Sequence, residues 1–325
     1  MNTFRFVILG AGFIGNQFCD AVSRIDGCEV AAVASKSMER AQRFAAEHDI
    51  PRAYDSYEEM LDAEHPDCAY IAVTPNDHFR LTMLCLDRKI PVMCEKAMFA
   101  NASEAETALS YAEEQQVFAM EALWSRFLPA VRCVRTWLED SRIGTPTLSQ
   151  ITIGFVTPDD NESRFLNPAL AGGVATDITV YAYEITTFLL QQEIRNVQVT
   201  TKFSDLGVDL TSHVTLDMEH TLAELTTSFA APIEDRMFIY GKGGSIVLPI
   251  PIHPSECFLY DEEGCEVEHF VDEVTQNGFT YEIEEVIRCI RAGRLESEVV
   301  PHADTLSCAK LFDRVRAYSP DSPLM

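Results

Sequence analysis

The sequence predicts an α/β protein of two domains: an N-terminal doubly wound parallel sheet, then an α+β domain with a large, mostly antiparallel open sheet. Its 325 residues are too many for one small core. Strands and helices alternate through the first third, whereas residues 194–270 form successive strands with short turns. The pattern changes near residue 122, which predicts domains at 1–122 and 123–325.

The first domain opens with the apolar run 4–9, followed by a helical pattern over about 13–25. Further strands are expected at 29–34, 69–73, 91–94 and 117–121. Helices between them end near residues 48 and 88, and a third opens at Ser103-Glu104-Ala105-Glu106, which has a capping-box pattern. Continuous apolar strands of this kind are typical of a parallel sheet covered on both faces.

The second domain is expected to begin with a helix over about 128–140, a strand over 147–156 and a helix over about 177–191. Segments 197–203 and 222–229 alternate as half-buried antiparallel strands do, and 241–244 is a turn. Two helices, about 280–292 and 303–317, close the chain, and the last can pack back on the first domain.

Composition narrows the class of protein. Hydrophobic residues make up 47% and charged residues 23%, as in ordinary globular proteins. The sequence has no apolar run of about 18 residues, which argues against a membrane span. Its N-terminus lacks the basic flank and apolar stretch of a signal peptide, so we expect a cytoplasmic protein.

Charge and cysteine content exclude further classes. The formal net charge of -26 repels phosphate backbones and anionic lipids, so we expect neither nucleic acid nor membrane as a partner. An anionic ligand would need local positive charge or helix N-termini. The ten cysteines include no Cys-x-x-Cys pair and the eight histidines show no ligand spacing, which predicts reduced thiols and no metal site.

A glycine-rich turn, Gly10-Ala11-Gly12-Phe13-Ile14-Gly15, follows the first strand and opens the first helix. In this context Gly10 permits the tight turn, Gly12 lets a pyrophosphate approach the backbone, and Gly15 lets the helix pack on the strand. The phosphates would lie at the helix N-terminus, near Phe13 and Ile14. The pattern predicts a dinucleotide-binding site.

The end of the second strand indicates which dinucleotide. A site that prefers NAD places an acid there, but this chain has Ser35 and Lys36, with Arg40 one turn later, and Glu29 lies at the opposite end. A hydroxyl and two cations suit a 2′-phosphate, so we expect NADP(H) to be preferred and NAD(H) to be possible. The alternative is that Lys36 and Arg40 simply face water.

Two more strand ends carry polar residues. Thr74-Pro75-Asn76 follows a buried strand where such sheets bind ligands, and Asn76 is expected to cap the next helix and face the cofactor. His78 begins that helix and is expected to be structural rather than catalytic. Glu95-Lys96 ends the following strand, and Lys96 is either a general acid or part of a surface ion pair.

A glycine pair, Gly172-Gly173, leads into the helix that carries Asp177 and Tyr181. A spacing of four places both side chains on one helical face, where they can share a substrate hydroxyl as proton acceptor and donor. The alternative is an N-cap aspartate and a core tyrosine.

Together and in this order, these motifs resemble the glucose–fructose oxidoreductase and inositol dehydrogenase (Gfo/Idh/MocA) family, and within it the branch of dimeric dihydrodiol dehydrogenases and NADP-dependent D-xylose dehydrogenases. The most specific matches are Glu-Ala-Leu-Trp-Ser-Arg-Phe-Leu-Pro at 121–129 and the stretch from Arg164-Phe165 to Tyr181. Pro301-His302 also matches, and the resemblance covers essentially the whole chain.

The resemblance implies a Rossmann domain, a C-terminal α/β domain and a site between them. It implies that Lys96 and Tyr181 assist proton transfer and that Asp177 orients the substrate; many family members have histidine in place of Tyr181. The implied substrate pocket consists of Trp124, Phe165, Asp177 and Tyr181. The implied cofactor-binding set is Gly10, Gly12, Phe13, Ile14, Gly15, Ser35, Lys36, Arg40, Thr74, Pro75, Asn76, His78, Glu95, Lys96, Trp124 and Arg126.

We therefore expect an NADP(H)-dependent oxidoreductase that transfers a hydride between nicotinamide and a sugar, polyol or cyclic diol. The resemblance also implies a homodimer or higher homo-oligomer formed through the C-terminal sheet. Two alternatives stay open, a nicotinamide-dependent glycoside-cleaving enzyme and a non-catalytic NADP-binding regulatory protein.

The chain departs from the family pattern twice. Ala97 replaces the proline of the Glu-Lys-Pro motif, which would fix the backbone after Lys96, and Thr179 replaces a glycine two residues after Asp177. We expect the side chain of Thr179 to crowd whatever passes close to the start of the helix.

Overall fold

Residues 3–158 and 163–319 are described by a computed structural model, which divides into two units. The first unit contains Met1–Trp124 and Gln276–Ala309, and the second contains Ser125–Thr275 and Lys310–Met325. The chain thus returns to the first unit after it has completed the sheet of the second. The functional boundary after residue 122 stays a prediction.

Both units mix helices and strands. The helices are α1 (Phe13–Ser23), α2 (Met38–Glu47), α3 (Tyr57–Glu64), α4 (His78–Leu86), α5 (Ala102–Gln115), α6 (Pro129–Glu139), α7 (Val180–Leu190), α8 (Phe279–Arg291) and α9 (His302–Arg316). The strands are β1 (Phe4–Leu9), β2 (Cys28–Ala34), β3 (Ala53–Tyr54), β4 (Cys68–Ile71), β5 (Val92–Glu95), β6 (Ala119–Ala122), β7 (Pro146–Gly154), β8 (Ile194–Phe203), β9 (Asp209–Met218), β10 (Leu222–Ser228), β11 (Arg236–Gly241), β12 (Gly244–Pro249), β13 (Glu256–Tyr260) and β14 (Glu266–Val271).

The sheet of the first unit is parallel, with the strand order β3-β2-β1-β4-β5-β6. The chain starts at the middle of the sheet and proceeds first to one edge and then to the other, which is the doubly wound arrangement. Every residue of β4, β5 and β6 is buried. This burial explains why these strands show no polar alternation, and the predicted parallel sheet is confirmed.

Residues 53–64 form two elements that the sequence analysis did not predict. The strand β3 is only two residues long and pairs with the end of β2. The helix α3 begins after Ser56, whose side chain accepts a hydrogen bond from the backbone N–H of Glu59 at 3.1 Å. So short a strand shows no periodicity, which is why the pattern did not reveal it.

The start of α5 corrects the predicted capping box. The cap is Asn101 rather than Ser103, since the Asn101 side chain accepts from the backbone N–H of Glu104 at 2.9 Å. Ser103 already lies within the helix, and its carbonyl accepts from the Thr107 hydroxyl. Asparagine at the N-cap provides the same acceptor as serine, two residues earlier in the chain.

The second unit is built on a sheet of the order β14-β13-β12-β11-β7-β10-β9-β8. Its neighbouring strands are antiparallel except β10 and β7, which run parallel. This confirms the predicted mostly antiparallel sheet, and β11 and β12 are joined by the predicted turn.

One face of this sheet is buried and the other is partly open. Along β7 the buried residues Ser149, Ile151 and Ile153 alternate with less buried neighbours. Helices α6 and α7 pack against the strands of this sheet. The alternation of burial is what one covered face produces.

The described part of the chain contains no helix with both the length and the apolar character that crossing a bilayer requires.

Candidate functional site

The first position of the glycine turn after β1 has a backbone conformation that only glycine adopts easily. Gly10 has a φ of +118°, and a Cβ there would lie 2.5 Å from the carbonyl oxygen of Ala72. The backbone N–H of Gly10 donates to the carbonyl of Ala34 at 2.9 Å, so the turn is tied to the end of β2. Steric exclusion and conformation therefore both require glycine here.

The other two glycines of the turn have different surroundings. A Cβ on Gly12 would have only the Ala72 carbonyl oxygen within contact distance, at 3.9 Å, whereas a Cβ on Gly15 would lie 3.0 Å from the Phe44 ring. Gly15 thus allows close packing of α1, and Gly12 keeps an open surface above the turn.

This open surface suits an anion. Gly12 is the N-cap of α1, no side chain caps the helix, and its first turn carries no acidic residue. Backbone N–H groups at such a terminus attract phosphate. The ring of Phe13 is 78% exposed beside them. The residues of the turn therefore fit the pyrophosphate of a dinucleotide.

The end of β2 presents cations. Ser35 is buried, and its backbone N–H donates to the carbonyl of Tyr54. The side chains of Lys36 and Arg40 are exposed, but Lys36 does not simply face water. Its Nζ lies 2.5 Å from a carboxylate oxygen of Asp77, which follows β4. Partial burial raises the pKa of Asp77. The hydrogen bond and charge of Lys36, together with Arg80, lower this pKa by more, so the net shift is downward.

The segment after β4 is a 3₁₀ turn over Pro75–Asp77. The predicted capping by Asn76 is wrong: the N-cap of α4 is Asp77, which makes no side-chain capping bond, and the Asn76 side chain accepts from the Thr74 hydroxyl at 2.7 Å. The turn places Asn76 one residue too early to reach the amides of α4. Asn76 is exposed and Thr74 half-buried, so both keep surface for a ligand.

His78 is fully buried at the start of α4. Its Nδ1 lies 2.8 Å from the carbonyl oxygen of Ala97, and its Nε2 lies 3.0 Å from that of Val73. Burial lowers the pKa of His78. The ring therefore links the ends of β4 and β5, which is the structural role expected of it.

Glu95 is the buried last residue of β5, and Lys96 follows it directly. The Tyr70 hydroxyl donates to the Glu95 carboxylate at 2.5 Å, and burial raises the pKa of Glu95 to about 6. Lys96 is half-buried, which argues against a fully solvated surface ion pair. The backbone N–H of Met98 donates to Glu121 at 2.9 Å, which anchors the chain just after Lys96.

Beside Glu95 lies a carboxyl group that sequence reasoning missed. Glu282, on α8, is fully buried, and neither of its carboxylate oxygens makes a hydrogen bond with a described residue. Burial raises its pKa well above the ordinary value, and the charge of Glu95 raises it further. Burial thus favours the neutral form of Glu282, because an unpaired buried carboxylate is costly.

In the second unit, the glycine pair allows a loop and a carboxylate to approach the start of α7. A Cβ on Gly172 would lie 2.8 Å from the carbonyl oxygens of Arg164 and Phe165. Gly173 has a φ of +131°, and a Cβ there would lie 2.2 Å from an Asp209 oxygen. Both glycines are therefore required by close packing.

Asp209, the first residue of β9, is a second residue that sequence reasoning missed. Its carboxylate accepts from the backbone N–H of Ala175 at 2.6 Å, and so caps the helical segment that leads into α7. Burial raises its pKa to about 6, although this amide lowers it in part. No local pattern marks a cap that comes from a distant strand.

Asp177 lies in a π-helical turn, Ala175–Thr179, that precedes α7. The predicted helix over about 177–191 is confirmed, although its first turn is π-helical. The N-cap alternative for Asp177 is excluded, because the cap position is Val174. The Asp177 carboxylate accepts from an Arg164 nitrogen at 3.1 Å. Tyr181 is 7% exposed within α7.

Phe165 belongs to an aromatic cluster in the same unit. Its ring centroid lies 5.7 Å from that of Phe155 and 5.5 Å from that of Phe229, both edge to face. The Arg164 guanidinium covers the Phe165 ring at 4.1 Å and also holds Asp177. The predicted pocket residues Phe165 and Asp177 are thus linked through Arg164.

Comparison with known proteins gives the family. Residues 4–123 match the model of an oxidoreductase family with an NAD-binding Rossmann fold, and residues 131–247 match the GFO/IDH/MocA C-terminal domain. A trans-1,2-dihydrobenzene-1,2-diol dehydrogenase of Danio rerio is 32% identical over 98% of this chain and 99% of its own. The chain belongs to the GFO/IDH/MocA oxidoreductase family. The Homo sapiens protein of the same name is 29% identical over 96% of each chain.

Solved structures show the same fold. The aldose-aldose oxidoreductase of Caulobacter crescentus superposes with a TM-score of 0.87 at 19% identity and covers 96% of each chain. A 3-ketoreductase of Actinomadura kijaniata, solved with NADP and TDP-benzene, gives 0.86 at 20% identity over 97% of each chain. As a member of the GFO/IDH/MocA family, the chain is an NAD(P)-dependent dehydrogenase that acts on CH–OH groups.

The two departures from the GFO/IDH/MocA pattern are absorbed by packing. Ala97 is fully buried, and its carbonyl contacts His78. The Thr179 hydroxyl lies 2.6 Å from that of Thr227 on β10, in a buried contact. Thr179 therefore packs on the sheet, rather than crowding the start of the helix as we expected.

Two residues of the Trp-x-Arg motif lie in different environments. The Trp124 ring is half-buried, with its centroid 5.3 Å from that of Phe279. Arg126 is fully buried and donates to the carbonyl of Glu184 at 3.0 Å, as well as to its buried carboxylate. This burial favours a structural role for Arg126 over the cofactor contact that the resemblance implies.

Proposed function

We propose that this protein is an NADP(H)-preferring dehydrogenase that moves a hydride between the nicotinamide and a sugar, polyol or cyclic diol. The observation that carries the proposal is the uncapped, glycine-lined terminus of α1 next to the end of β2. Lys36 follows this strand end and Arg40 lies in the first turn of α2, where a site that prefers NAD has an acid. A helix terminus suits the pyrophosphate, and cations suit a 2′-phosphate.

The cofactor would be held by groups of the first unit. The backbone of Gly12, Phe13 and Ile14 would bind the pyrophosphate, and Ser35 and Lys36 would lie by the adenosine ribose. When bound, the nicotinamide supplies the site that accepts or donates the hydride.

Proton transfer is proposed for Lys96 and Tyr181. Alcohol oxidation releases a proton as well as a hydride, so a base must accept the hydroxyl proton. Lys96 directly follows Glu95 in the chain and is half-buried. Asp177, held by Arg164 at 3.1 Å, would orient the substrate hydroxyl.

The substrate class follows from the relatives. The curated proteins that cover this chain almost end to end are dehydrogenases of a cyclic trans-diol, and one structural relative is an aldose-aldose oxidoreductase. Phe155, which is 39% exposed, and the half-buried Phe165 pack on the buried Phe229. Their rings provide an apolar surface that Arg164 connects to Asp177, which suits a ring that bears hydroxyl groups.

We also propose a homodimer or higher homo-oligomer formed through the open face of the second sheet. Phe238, Tyr240, Phe258 and Tyr260 alternate with buried residues on β11 and β13, and each keeps partial exposure. A row of aromatic side chains on a solvent-facing sheet indicates a protein interface. Light scattering that gives the 36.4 kDa mass of a monomer at micromolar concentration would contradict this part of the proposal.

The test is a fluorescence titration with NADP+ and NAD+, followed by an absorbance screen for NADPH across aldoses, polyols and cyclic trans-diols. We expect binding of NADP+ and turnover of at least one of these classes of substrate.

Lys96→Met should lower turnover by about 100-fold or more, as the loss of a proton-transfer group does. Lys242→Met, in the exposed turn between β11 and β12, removes the same charge and is the control.

Other outcomes point elsewhere. Binding without turnover of any compound would favour a regulatory protein, and cleavage of a glycoside without accumulation of NADPH would favour the glycoside-cleaving alternative. Unchanged turnover in Lys96→Met would remove Lys96 from the mechanism.

A further inference from the structure

A carboxylate pairs with Lys36, one of the two cations that are proposed to bind the 2′-phosphate. Asp77 Oδ2 is 2.5 Å from Lys36 Nζ, and Asp77 Oδ1 is 3.5 Å from Arg80 Nε. The Asp77 side chain is only 17% exposed, whereas that of Lys36 is 69% exposed. The carboxylate therefore has a defined position, and the flexible lysine reaches across to it from the end of β2.

The backbone holds Asp77 in this position. Its N–H donates to the Thr74 carbonyl at 3.0 Å, which closes the 3₁₀ turn after β4. Its pKa is lower than usual, since Lys36 and Arg80 outweigh the effect of partial burial, so the group is ionised at neutral pH. A fixed negative charge thus faces Lys36.

This charge affects the two dinucleotides in opposite directions. A 2′-phosphate must displace the carboxylate from Lys36 or approach it as a like charge, and either costs binding free energy. A 2′-hydroxyl, by contrast, needs an acceptor, and sites that prefer NAD provide an acid from the end of the second strand. In this chain the acid comes instead from the 3₁₀ turn that follows β4.

We propose that Asp77 determines cofactor specificity, by weakening the binding of NADP+ and accepting the ribose 2′-hydroxyl of NAD+. The enzyme would then use both dinucleotides, with the cations favouring one and Asp77 the other. This inference rests on the proposed function, because it takes Lys36 as part of the adenosine ribose site.

The test is Asp77→Asn in the full-length protein, with dissociation constants for NADP+ and NAD+ from the same fluorescence titration. Asparagine keeps the size of the side chain and removes its charge. We expect the dissociation constant of NADP+ to fall about three-fold and that of NAD+ to rise about three-fold, so that the ratio of the two changes about ten-fold. Each change is of the size that one exposed ion pair contributes.

Asp62→Asn is the matched control. Asp62 pairs with Arg88 at 2.7 Å on the surface of the same unit, so the variant loses one negative charge and one ion pair elsewhere. It should leave the ratio of the two constants unchanged. A change of the same size in Asp62→Asn would mean that net charge, and not Asp77, sets the preference.

Failure of the role proposed for Asp77 can be distinguished from failure of the proposed function. If the wild-type protein binds NADP+ and Asp77→Asn keeps the wild-type ratio, the role of Asp77 is overturned and the proposed function stands. If the wild-type protein binds neither dinucleotide, the proposed function itself fails. A rise in both constants in Asp77→Asn, with unchanged thermal stability, would also overturn the inference, since it assigns opposite signs to the two cofactors.

Discussion

At the scale of single residues, the glycines of the first turn differ in what a side chain would meet. A methyl group on Gly10 would collide with the Ala72 carbonyl at 2.5 Å, whereas on Gly12 the nearest atom is 3.9 Å away. Gly10 thus serves the fold, and Gly12 serves the ligand. The two glycines thus have the different surroundings that their positions in the motif predict.

This difference leads to a prediction. Gly12→Ala should fold with nearly wild-type stability, because φ is -113° and the space is open, but should bind NADP+ at least ten-fold more weakly. Gly10→Ala should lose about 2 kcal/mol or more of stability, because φ is +118° and the methyl group has no room. Urea unfolding and the fluorescence titration measure the two properties. Equal loss of stability in both variants would contradict the assignment.

At the scale of elements, α7 depends on a buried ion pair. Arg126 and Glu184 are both 0% exposed, and the Arg126 guanidinium also lies 5.3 Å from the Phe188 ring centroid. Removal of one partner leaves a buried charge without compensation, which is far more costly than removal of both.

We therefore predict that Arg126→Met and Glu184→Leu each lower the free energy of unfolding by about 3–5 kcal/mol, and that the double variant loses clearly less than their sum. Glu139→Ala is the control: the Glu139 side chain is 59% exposed, and its partner Arg135 on α6 keeps a hydrogen bond to the Phe188 carbonyl, so the loss should be under about 1 kcal/mol. Denaturant unfolding gives all four values. Additive losses in the double variant would show that the two side chains act independently.

The elements also show how far the sequence alone predicts this protein. The parallel sheet was predictable from local sequence. A strand that is buried on both faces is an apolar run, such as 4–9, and a turn with a positive φ contains glycine, as at Gly10. The π-helical turn that carries Asp177 and the two-residue strand β3 were missed, since neither has a periodicity of its own.

Long-range contacts account for the rest of the candidate site. Asp209 caps the segment before α7 from a strand, and Glu282 lies beside Glu95 although α8 comes late in the chain. Arg126 matched a motif yet is buried, because a motif specifies a residue type and not its exposure. Residues that act through tertiary contacts are those that the sequence analysis could not reveal.

At the scale of the whole molecule, the carboxyl groups determine how the free energy of unfolding depends on pH. The net charge is -26, and several buried carboxyl groups have a raised pKa, among them Glu95 and Asp209 at about 6 and Glu282 well above its usual value. Such groups hold protons in the folded state that the unfolded chain releases. By linkage, stability then falls as pH rises through the interval between the unfolded and folded pKa values.

The last prediction follows from this sign. Between about pH 4 and pH 6 the folded chain binds more protons at Asp209 than the unfolded chain, so the free energy of unfolding should decrease with rising pH in this window and remain lower above it. The rise from 3.8 to about 6 corresponds to about 3 kcal/mol for Asp209.

Carboxylates with a lowered pKa, such as Asp20 and Asp62, act oppositely at lower pH. His78, whose pKa burial lowers, acts oppositely below its ordinary pKa. The three carboxyl groups with a raised pKa outweigh this single group, so the protein should be more stable at pH 5 than at pH 8 in urea unfolding. Asp209→Asn, which keeps an oxygen for the Ala175 amide, should flatten the dependence, whereas Asp62→Asn should not; a wild-type slope in Asp209→Asn would show that Asp209 titrates normally.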